Sequence, residues 1–428
     1  MFEKNAFIKD WRSIDISFGL IYPNIYSLGM SSYSIRLLYY LINQYKNILC
    51  ERIFLPEKIR FPANKDYKNE IRSIENQVVP SQFDILGFSV QFENDFRHIL
   101  WILEKSNIPL QAKIRQDLRK TEGKSFPLII GGGPVATSNP LPLSKIFDLF
   151  FIGDAEPNLD EFLSIFLNYK NTDKEFDSLL YELSKLNGIF IPSLKNHVNR
   201  LVLKDLNKFP IPDYQLRVNT KKKSVFEENF FIEVNRGCPF RCKFCISSFH
   251  NHPFRNRNYE NIIDTLKNAI KVDDFSSVGL IGSCVSAHPQ FLDICKNIIK
   301  YGKRLMIPSI RIEHLNNETI KVLENAGIKT ITIAPETGSE DLRFKLNKKI
   351  SNEQIYKLVE KINNSKINNV KMYFLIGLPD EKEEDIHEIV NLIKNIDNLN
   401  FQKKALRISV NPVIPKLNTP YEKNLNHY

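Results

Sequence analysis

The chain has 428 residues, of which 43% are hydrophobic and 25% charged. This composition is ordinary for a folded globular protein, excludes a largely disordered one, and leaves room for two domains with separate cores. The apolar runs are far shorter than the ~20 residues that a membrane-spanning helix needs. Residues 1–12 lack the apolar stretch and cleavage site of a secretory signal. We therefore predict a cytoplasmic protein without membrane insertion.

The net charge of +10 is compatible with nucleic acid or a phosphorylated substrate as a partner. Lysine and asparagine are abundant along the whole chain, however, and no arginine-rich or aromatic-interleaved stripe stands out as a nucleic-acid surface. RNA contact therefore stays an open alternative.

The first part of the chain alternates short apolar runs with helical patterns. Predicted helices begin at Ser31 and Phe96, and the predicted strands are 18–22, 85–90, 128–130 and 149–152. Such alternation predicts an α/β fold, here a doubly wound parallel sheet over residues 1–170. Ligands of such sheets bind beyond the carboxyl ends of the strands, which directs attention to loops 23–29, 131–134 and 153–156.

Residues 171–225 are charged and broken by Pro210 and Pro212, with a basic run from Lys221 to Lys223, and are predicted to be a linker. A second series of strands follows, at 230–234, 277–281, 305–310, 330–333, 371–375 and 406–410. Six such strands with helices between them predict a partial TIM-type (βα)6 barrel over residues 226–428. In this fold the chemistry takes place at the carboxyl ends of the strands.

Three of the six cysteines, Cys238, Cys242 and Cys245, lie within eight positions directly after the first strand of the predicted barrel. This clustering is unlike the framework of a disulfide-rich secreted domain. Spacings of three and then two residues let one short loop place three thiolates around a four-iron, four-sulfur cluster. Three cysteines leave one iron open, and the amino and carboxylate groups of S-adenosylmethionine can chelate it.

A structural zinc site is the competing interpretation. His250 follows Cys245 after four intervening residues and would complete a set of three cysteines and one histidine. Structural zinc sites usually draw their ligands from two separate knuckles, whereas all four would here crowd one loop. In that case the protein would be a zinc-stabilised binding module, acting as an RNA or protein adaptor.

The pattern Cys-x3-Cys-x-aromatic-Cys after a strand resembles the radical S-adenosylmethionine superfamily. Phe244, the aromatic residue of this pattern, offers a flat face on which adenine could stack, although a core role is the commoner one for phenylalanine. The resemblance implies that Gly282 and Ser283 bind the methionine amino group through their main chain. The usual Gly-Gly-Glu of the family is Gly282-Ser283-Cys284 here.

The resemblance extends to three later segments of the barrel. Ser309 and Arg311 resemble the polar pair that meets the carboxylate or the ribose of the cofactor, and the planar fork of arginine suits a carboxylate. Glu336 resembles an acidic position near the ribose hydroxyls. Gly377 and Pro379 belong to a Gly-Leu-Pro-x-Glu segment that, in the family, closes over the adenine.

A doubly wound domain before such a barrel resembles the subgroup with a cobalamin-binding-like domain, including a largely uncharacterised family within it. Gly131 to Pro134 and Gly153 to Glu156 are similar to glycine loops of that subgroup. Where its members with a histidine ligand have Asp-x-His-x-x-Gly, this chain has Asn24 to Gly29, with Tyr26 at the histidine position. The resemblance implies that cobalamin binds without a protein histidine, or that the domain binds none.

These features predict an enzyme that takes an electron from a flavodoxin- or ferredoxin-type reductant, cleaves S-adenosylmethionine and abstracts hydrogen from an unidentified substrate. Methyl transfer is expected if cobalamin binds. A methylthiotransferase acting on tRNA or a ribosomal protein is a second alternative, disfavoured because its second cluster needs N-terminal cysteines and the first half offers only Cys50. Residues 411–420 match the end of the family's barrel, so we expect a C-terminal substrate-binding segment of longer relatives to be missing here.

Overall fold

The computed structural model describes residues 3–57, 70–218, 229–399 and 405–427. The chain forms two compact units, one of residues 1–204 with 214–228 and the other of residues 205–213 with 229–428. Among the helices of the described ranges, none is long and apolar enough to span a bilayer. The basic run Lys221 to Lys223 lies outside the described residues.

The first unit alternates strands and helices. Its strands are β1 (Glu3–Lys4), β2 (Ile16–Ile25), β3 (Ile48–Leu55), β4 (Ile85–Ser89), β5 (Leu128–Gly132), β6 (Leu149–Phe151), β7 (Ile189–Phe190) and β8 (Arg217–Val218). Its helices are α1 (Tyr26–Gly29), α2 (Tyr33–Asn43), α3 (Phe96–Lys105), α4 (Ala112–Glu122), α5 (Pro134–Ser138), α6 (Leu159–Lys170) and α7 (Phe176–Leu183).

The main sheet of this unit has the strand order β3-β2-β4-β5-β6-β7, with the first five strands parallel and β7 antiparallel to β6. The predicted doubly wound sheet is confirmed. Its strands β4 and β5 are near-continuous apolar runs, as is usual for parallel strands that are buried on both faces. The strand order reverses between β2 and β4, so the crevice beyond their carboxyl ends is the place where sheets of this type bind ligands.

Strand β3 was not predicted, although every one of its residues is buried. Its sequence contains Glu51 and Arg52, which hide the apolar pattern of a strand. The Arg52 side chain is fully buried and forms ion pairs with Glu3 and with Glu75, the latter at 2.8 Å. Buried charges persist when they are paired in this way.

The predicted linker differs from the structure over its first part. Residues 171–204 belong to the first unit, where α7 packs against α6 and β7 extends the sheet beside β6. Phe176, Leu179, Leu180 and Leu183 form a buried apolar stripe at helical spacing. Charged residues lie between these apolar positions, which is why the sequence predicted a linker here.

The second unit contains the cysteine motif. Its strands are β9 (Asn229–Glu233), β10 (Asn235–Arg236), β11 (Arg255–Asn256), β12 (Ser277–Ile281), β13 (Arg304–Met306), β14 (Thr330–Glu336), β15 (Asn369–Ile376) and β16 (Ala405–Pro412). Its helices are α8 (Ile246–His250), α9 (Tyr259–Val272), α10 (Phe291–Lys300), α11 (Asn317–Asn325), α12 (Glu340–Lys345), α13 (Asn352–Asn363) and α14 (Glu383–Asp397).

Six parallel strands of this unit follow one another in chain order. They form two three-stranded groups, β9-β12-β13 and β14-β15-β16. A backbone hydrogen bond from Ile310 N to Thr332 O, at 3.3 Å, connects the chain after β13 with β14. Helices between the strands pack their apolar faces on one continuous core. The predicted partial (βα)6 barrel is confirmed, and its carboxyl ends carry the loops described next.

Candidate active site

The three motif cysteines lie on a loop whose base is fixed by a short strand pair. Strand β10 pairs with β11 and thereby joins the two ends of residues 237–254. Gly237 has φ +83°, and a Cβ atom at this position would collide with the carbonyl oxygens of Asn251 and Pro253. Only glycine fits this conformation and this contact. The glycine before the first cysteine is therefore required by the loop itself.

The cysteine loop is attached to the segment that follows α12. Asn347 donates a side-chain hydrogen bond to the carbonyl oxygen of Phe240 at 2.8 Å, and Lys243 N donates to Leu346 O at 3.0 Å. Phe244 is half-buried and packs on a small cluster that includes Leu378. The loop is thus held by residues that follow the first, fourth and fifth barrel strands.

Arg311 lies beside the buried thiol of Cys242, and the charge of Lys348 also acts on this thiol. Arg311 Nη1 lies 3.8 Å from its sulfur, and the guanidinium stacks on the Phe240 ring at 3.6 Å from the centroid. Lys348 is the second cation, and its Nζ lies 2.6 Å from Glu336 Oε1. Burial raises the pKa of Cys242, and the two cations oppose that effect. Positive charge beside a thiol suits a negatively charged metal–thiolate group.

The pKa of Cys238 is affected by a cysteine from another loop, Cys284, which follows β12. A hydrogen bond from Cys284 lowers the pKa of Cys238 to about 6, against the opposing effect of partial burial. The pKa of Cys284 is raised for the complementary reason, together with burial. Cys238 therefore has the stronger thiolate character of the two, which favours metal ligation.

The other predicted site residues also lie after barrel strands. Gly282 packs against Asn235, whose side chain would collide with a Cβ atom there, and Ser283 and Ser309 are exposed. Gly377 has φ +75°, and its N–H is bound by the Glu381 carboxylate, while Pro379 is half-buried.

Glu336 is buried in a left-handed conformation, with φ +73°. Its partner is Lys348, which the sequence analysis did not identify. A ribose contact by Glu336 stays a prediction.

Three functional candidates were missed. Asn235 is 1% exposed, its amide nitrogen donates to Cys284 O at 2.8 Å, and its Oδ1 has no hydrogen-bond partner. Asn347 and Lys348 follow α12. Asn347 donates a hydrogen bond to the cysteine loop, and the charge of Lys348 acts to lower the pKa of Cys242. An asparagine three residues before Cys238 was a readable signal, whereas Asn347 and Lys348 are hidden in a lysine- and asparagine-rich chain.

The residues fit an iron–sulfur cluster better than a zinc ion. Among the residues that the structure describes, no three His, Cys, Asp or Glu side chains converge as the ligands of one metal ion do. A four-iron cluster needs more widely spaced thiolates, because each cysteine binds a different iron. Three free cysteines on one loop provide that donor set, with Cys238 and Cys245 half-buried and Cys242 buried beside Arg311.

The predicted cobalamin loop has Tyr26 at the position of the histidine ligand, and the nearby imidazole of His98 is buried, with its Nδ1 2.7 Å from Pro23 O and 3.1 Å from Asp95 Oδ1. The Tyr26 hydroxyl is buried and donates a hydrogen bond to Glu3. Cβ atoms at Gly133 and Gly153, with φ +101° and +106°, would collide with the backbone of Val90 and Leu201. These glycines are therefore explained by contacts within the chain. Residues 23–29 themselves contain no histidine that could bind a cobalt.

Glu233, at the end of β9, forms ion pairs with arginines that precede and follow the cysteine loop. Its carboxylate pairs with Arg236 Nε at 2.9 Å and with Arg257 Nη2 at 3.0 Å. Burial alone would raise the pKa of Glu233, but the two arginines outweigh it and the pKa lies below the ordinary value of 4.5. A carboxyl whose folded pKa is lowered stabilises the fold above its unfolded pKa and loses that contribution as the pH falls through the folded pKa.

We expect Glu233→Gln to lower the free energy of unfolding at pH 7 by about 3 kcal/mol, because it leaves two buried guanidinium groups without a carboxylate. The difference from wild type should shrink as the pH falls below 4.5, where the wild-type carboxyl itself becomes protonated. Urea unfolding of the cluster-free protein at several pH values measures this. Glu353→Gln removes an exposed pair with Lys357 and is the control with a much smaller effect. An equal loss at pH 7 and at low pH would contradict the assignment.

Family models match both units. Residues 34–192 match a model described as the N-terminal part of radical SAM proteins, and residues 232–393 match the radical SAM superfamily model. The chain belongs to the radical S-adenosylmethionine (radical SAM) superfamily. Proteins of this superfamily use a [4Fe-4S] cluster and S-adenosylmethionine, and they require a reductant and a substrate. The confirmed membership agrees with the motif at Cys238, Cys242 and Cys245.

Curated relatives belong to the same superfamily or are uncharacterised. An uncharacterised protein of Methanocaldococcus jannaschii is 28% identical over 94% of this chain and 78% of its own length. A tRNA-2-methylthio-N(6)-dimethylallyladenosine synthase of Clostridium novyi is 22% identical over 45% of this chain and 49% of that protein. The chain therefore spans about half the length of this synthase.

Solved structures share the fold. The cobalamin-dependent radical enzyme OxsB, with aqua-cobalamin bound, superposes with a TM-score of 0.64 and 16% identity, over 96% of this chain and 61% of that one. The radical SAM methyltransferase TsrM of Kitasatospora setae, with cobalamin and a [4Fe-4S] cluster bound, gives 0.60 and 14%, over 94% and 73%. This likeness supports a cobalamin-binding-like domain followed by a partial barrel.

Proposed function

We propose that this radical SAM protein is a cytoplasmic enzyme that cleaves S-adenosylmethionine reductively and abstracts hydrogen from a substrate still to be identified. The observation that carries this proposal is the loop of Cys238, Cys242 and Cys245 at the carboxyl end of the first barrel strand, with Arg311 and Lys348 beside it. When bound there, a four-iron cluster supplies the electron that cleaves S-adenosylmethionine.

The chain's own residues bind and orient the reactants. The three thiolates serve three irons, and the cations beside Cys242 stabilise the negative charge of the group they surround. The main chain at Gly282 and Ser283 offers hydrogen bonds to the methionine amino group. Arg311 would bind the carboxylate through its fork by leaving Glu313, which now accepts from its Nε at 3.2 Å and from its Nη2. Phe244 and the turn from Gly377 to Pro379 supply the apolar surface for the adenine, while Glu336 and Ser309 serve the ribose.

A flavodoxin- or ferredoxin-type protein is the proposed electron donor, and RNA is retained as a substrate class because of the net charge of +10. Methylthiotransferase chemistry is the weaker alternative, although one relative is such an enzyme. It needs a second cluster, and the first half of the chain has a single cysteine, Cys50, whose side chain is fully buried.

Anaerobic purification tests the proposal directly. We expect about four irons and four sulfides per chain. With S-adenosylmethionine and dithionite, 5′-deoxyadenosine and methionine should then form in equal amounts. A colourless protein that contains zinc would contradict the proposal and favour the binding-module alternative.

Cobalamin-assisted methyl transfer is a second candidate, supported by the shared fold of the two cobalamin-bound structures. We expect any cobalamin bound by the first unit to lack a protein histidine ligand, because the histidine position is Tyr26 and its hydroxyl is engaged by Glu3. Electron paramagnetic resonance of the cobalt(II) form detects an axial nitrogen through its hyperfine splitting. A splitting that comes from a protein imidazole would contradict this expectation.

A further inference from the structure

Asn235 is a buried amide between the cysteine loop and the loop that follows β12. Its side chain is 1% exposed, and it lies on β10, whose pairing with β11 holds the base of the cysteine loop. The residue before it, Val234, donates a backbone hydrogen bond to Ile281 O at 2.8 Å, at the end of β12. Asn235 is therefore fixed at the point where the chain leaves β12 and turns into the next loop.

Asn235 contacts the loop after β12 on both sides of Ser283. Its amide nitrogen donates to Cys284 O at 2.8 Å, and the same oxygen accepts from Ala287 N at 3.1 Å. On the other side, a Cβ atom at Gly282 would collide with Asn235 Oδ1 and lie 3.0 Å from the Asn235 backbone oxygen. Ser283 is the exposed residue between these two contacts. One buried side chain thus fixes the main chain before and after Ser283.

The amide of Asn235 is more costly than packing alone requires. Among the residues that the structure describes, its Oδ1 is buried and has no hydrogen-bond partner. An unpaired buried amide oxygen destabilises the fold, so an apolar side chain would serve a purely packing role better. What asparagine adds at this position is the N–H donor to Cys284 O. This observation favours a role in holding the loop.

We propose that Asn235 is a positioning residue that holds the main chain of Gly282 and Ser283 in the conformation that binds the amino group of S-adenosylmethionine. This inference rests on the proposed function. The amino group is an ammonium that only donates hydrogen bonds, so its binding depends on the direction of main-chain carbonyl oxygens. A loop that is ordered only part of the time binds more weakly in proportion. Asn235 orders the loop in advance and strengthens binding without touching the cofactor.

Binding, kinetics and hydrogen exchange of the reconstituted full-length protein test the proposal. We expect Asn235→Ala to raise the dissociation constant of S-adenosylmethionine, measured by equilibrium dialysis, about tenfold, as the loss of one buried hydrogen bond does. KM for S-adenosylmethionine should rise similarly, with kcat close to wild type. Amide hydrogen exchange of residues 283–287 should become faster, because their anchor is lost, while iron and sulfide content stays at the wild-type level.

Asn229→Ala is the matched control. Asn229 is also a buried amide that joins the same two strands, because its Oδ1 accepts from the Ser277 hydroxyl at the opposite end of β9 and β12. We expect this variant to be less stable than wild type but to keep the dissociation constant and the hydrogen exchange of residues 283–287. Equal effects of the two substitutions would overturn the proposal, because general loosening of the strands would then explain both.

A wild-type dissociation constant in Asn235→Ala, or unchanged hydrogen exchange of residues 283–287, would also overturn it. If the alanine variant holds no cluster, Asn235→Asp, which keeps the shape and replaces the N–H donor by an oxygen, takes its place in the binding measurement. Hydrogen exchange is then compared in the cluster-free proteins, and wild-type values in either measurement count against the proposal. A wild type without iron and sulfide would overturn the proposed function as well. A wild type that binds S-adenosylmethionine no better than the variants would overturn the role of Asn235 alone.

Discussion

Replacing Cys242 by alanine is expected to reduce both the iron and sulfide content and the yield of 5′-deoxyadenosine to background. In the proposed site three thiolates would hold the cluster, so the loss of one ligand would leave a second iron without protein attachment. Cys242 is the most buried of the three, and the charges of Arg311 and Lys348 both act on its thiol. Iron and sulfide analysis, together with chromatography of the nucleoside product, measures the effect.

Cys295→Ala is the matched control, because it removes a barrel cysteine that is fully buried in the core and away from the loop. It should retain iron, sulfide and product formation after correction for the amount of folded protein. Product formation by Cys242→Ala at the wild-type rate would show that this cysteine is not a ligand. Equal loss in both variants would show that the effect comes from misfolding.

Arg52→Met is expected to lower the free energy of unfolding of the first unit by about 3–5 kcal/mol, because it leaves two carboxylates in the interior without their cation. The side chains of Arg52, Glu3 and Glu75 are all at most 2% exposed. The guanidinium also lies over the Tyr39 ring, 4.8 Å from its centroid. Urea denaturation followed by circular dichroism measures the change.

Arg12→Met is the control for this substitution. The Arg12 side chain is 90% exposed in its pair with Asp10, so solvent already screens the interaction. Its removal should be close to neutral for stability. A similar small effect for Arg52→Met would mean that the buried carboxylates become protonated or hydrated at little cost.

Superfamily membership and fold together indicate the type of reaction, but they do not identify the substrate. The cysteine loop, the cations and the barrel loops that we propose to bind a cluster and S-adenosylmethionine lie within the second unit. No motif in the sequence identifies the substrate. For this reason the tests above measure cluster content and cofactor cleavage, which need no substrate.

The sequence by itself determined the fold class and the cluster loop. The apolar run Leu128–Gly132 is a buried strand, and Asn369–Ile376 is a strand with buried residues at every second position up to Phe374. Both patterns, like the spacing of Cys238, Cys242 and Cys245, are local along the chain. Gly237 is part of the same local pattern, because its conformation and its close contacts allow no side chain. Short-range features of this kind can be read without knowledge of distant contacts.

Only the tertiary structure decided what depends on residues far apart. Strand β3 contains a glutamate and an arginine that read as surface, and its burial follows from the pairing of Arg52 with Glu3 and Glu75. The pairing of Lys348 with Glu336 and the hydrogen bond from Asn235 to the carbonyl oxygen of Cys284 likewise join separate segments. The sequence does not show whether a charged residue or a cysteine is exposed to solvent or paired in the interior. Its partner is known only from the folded structure.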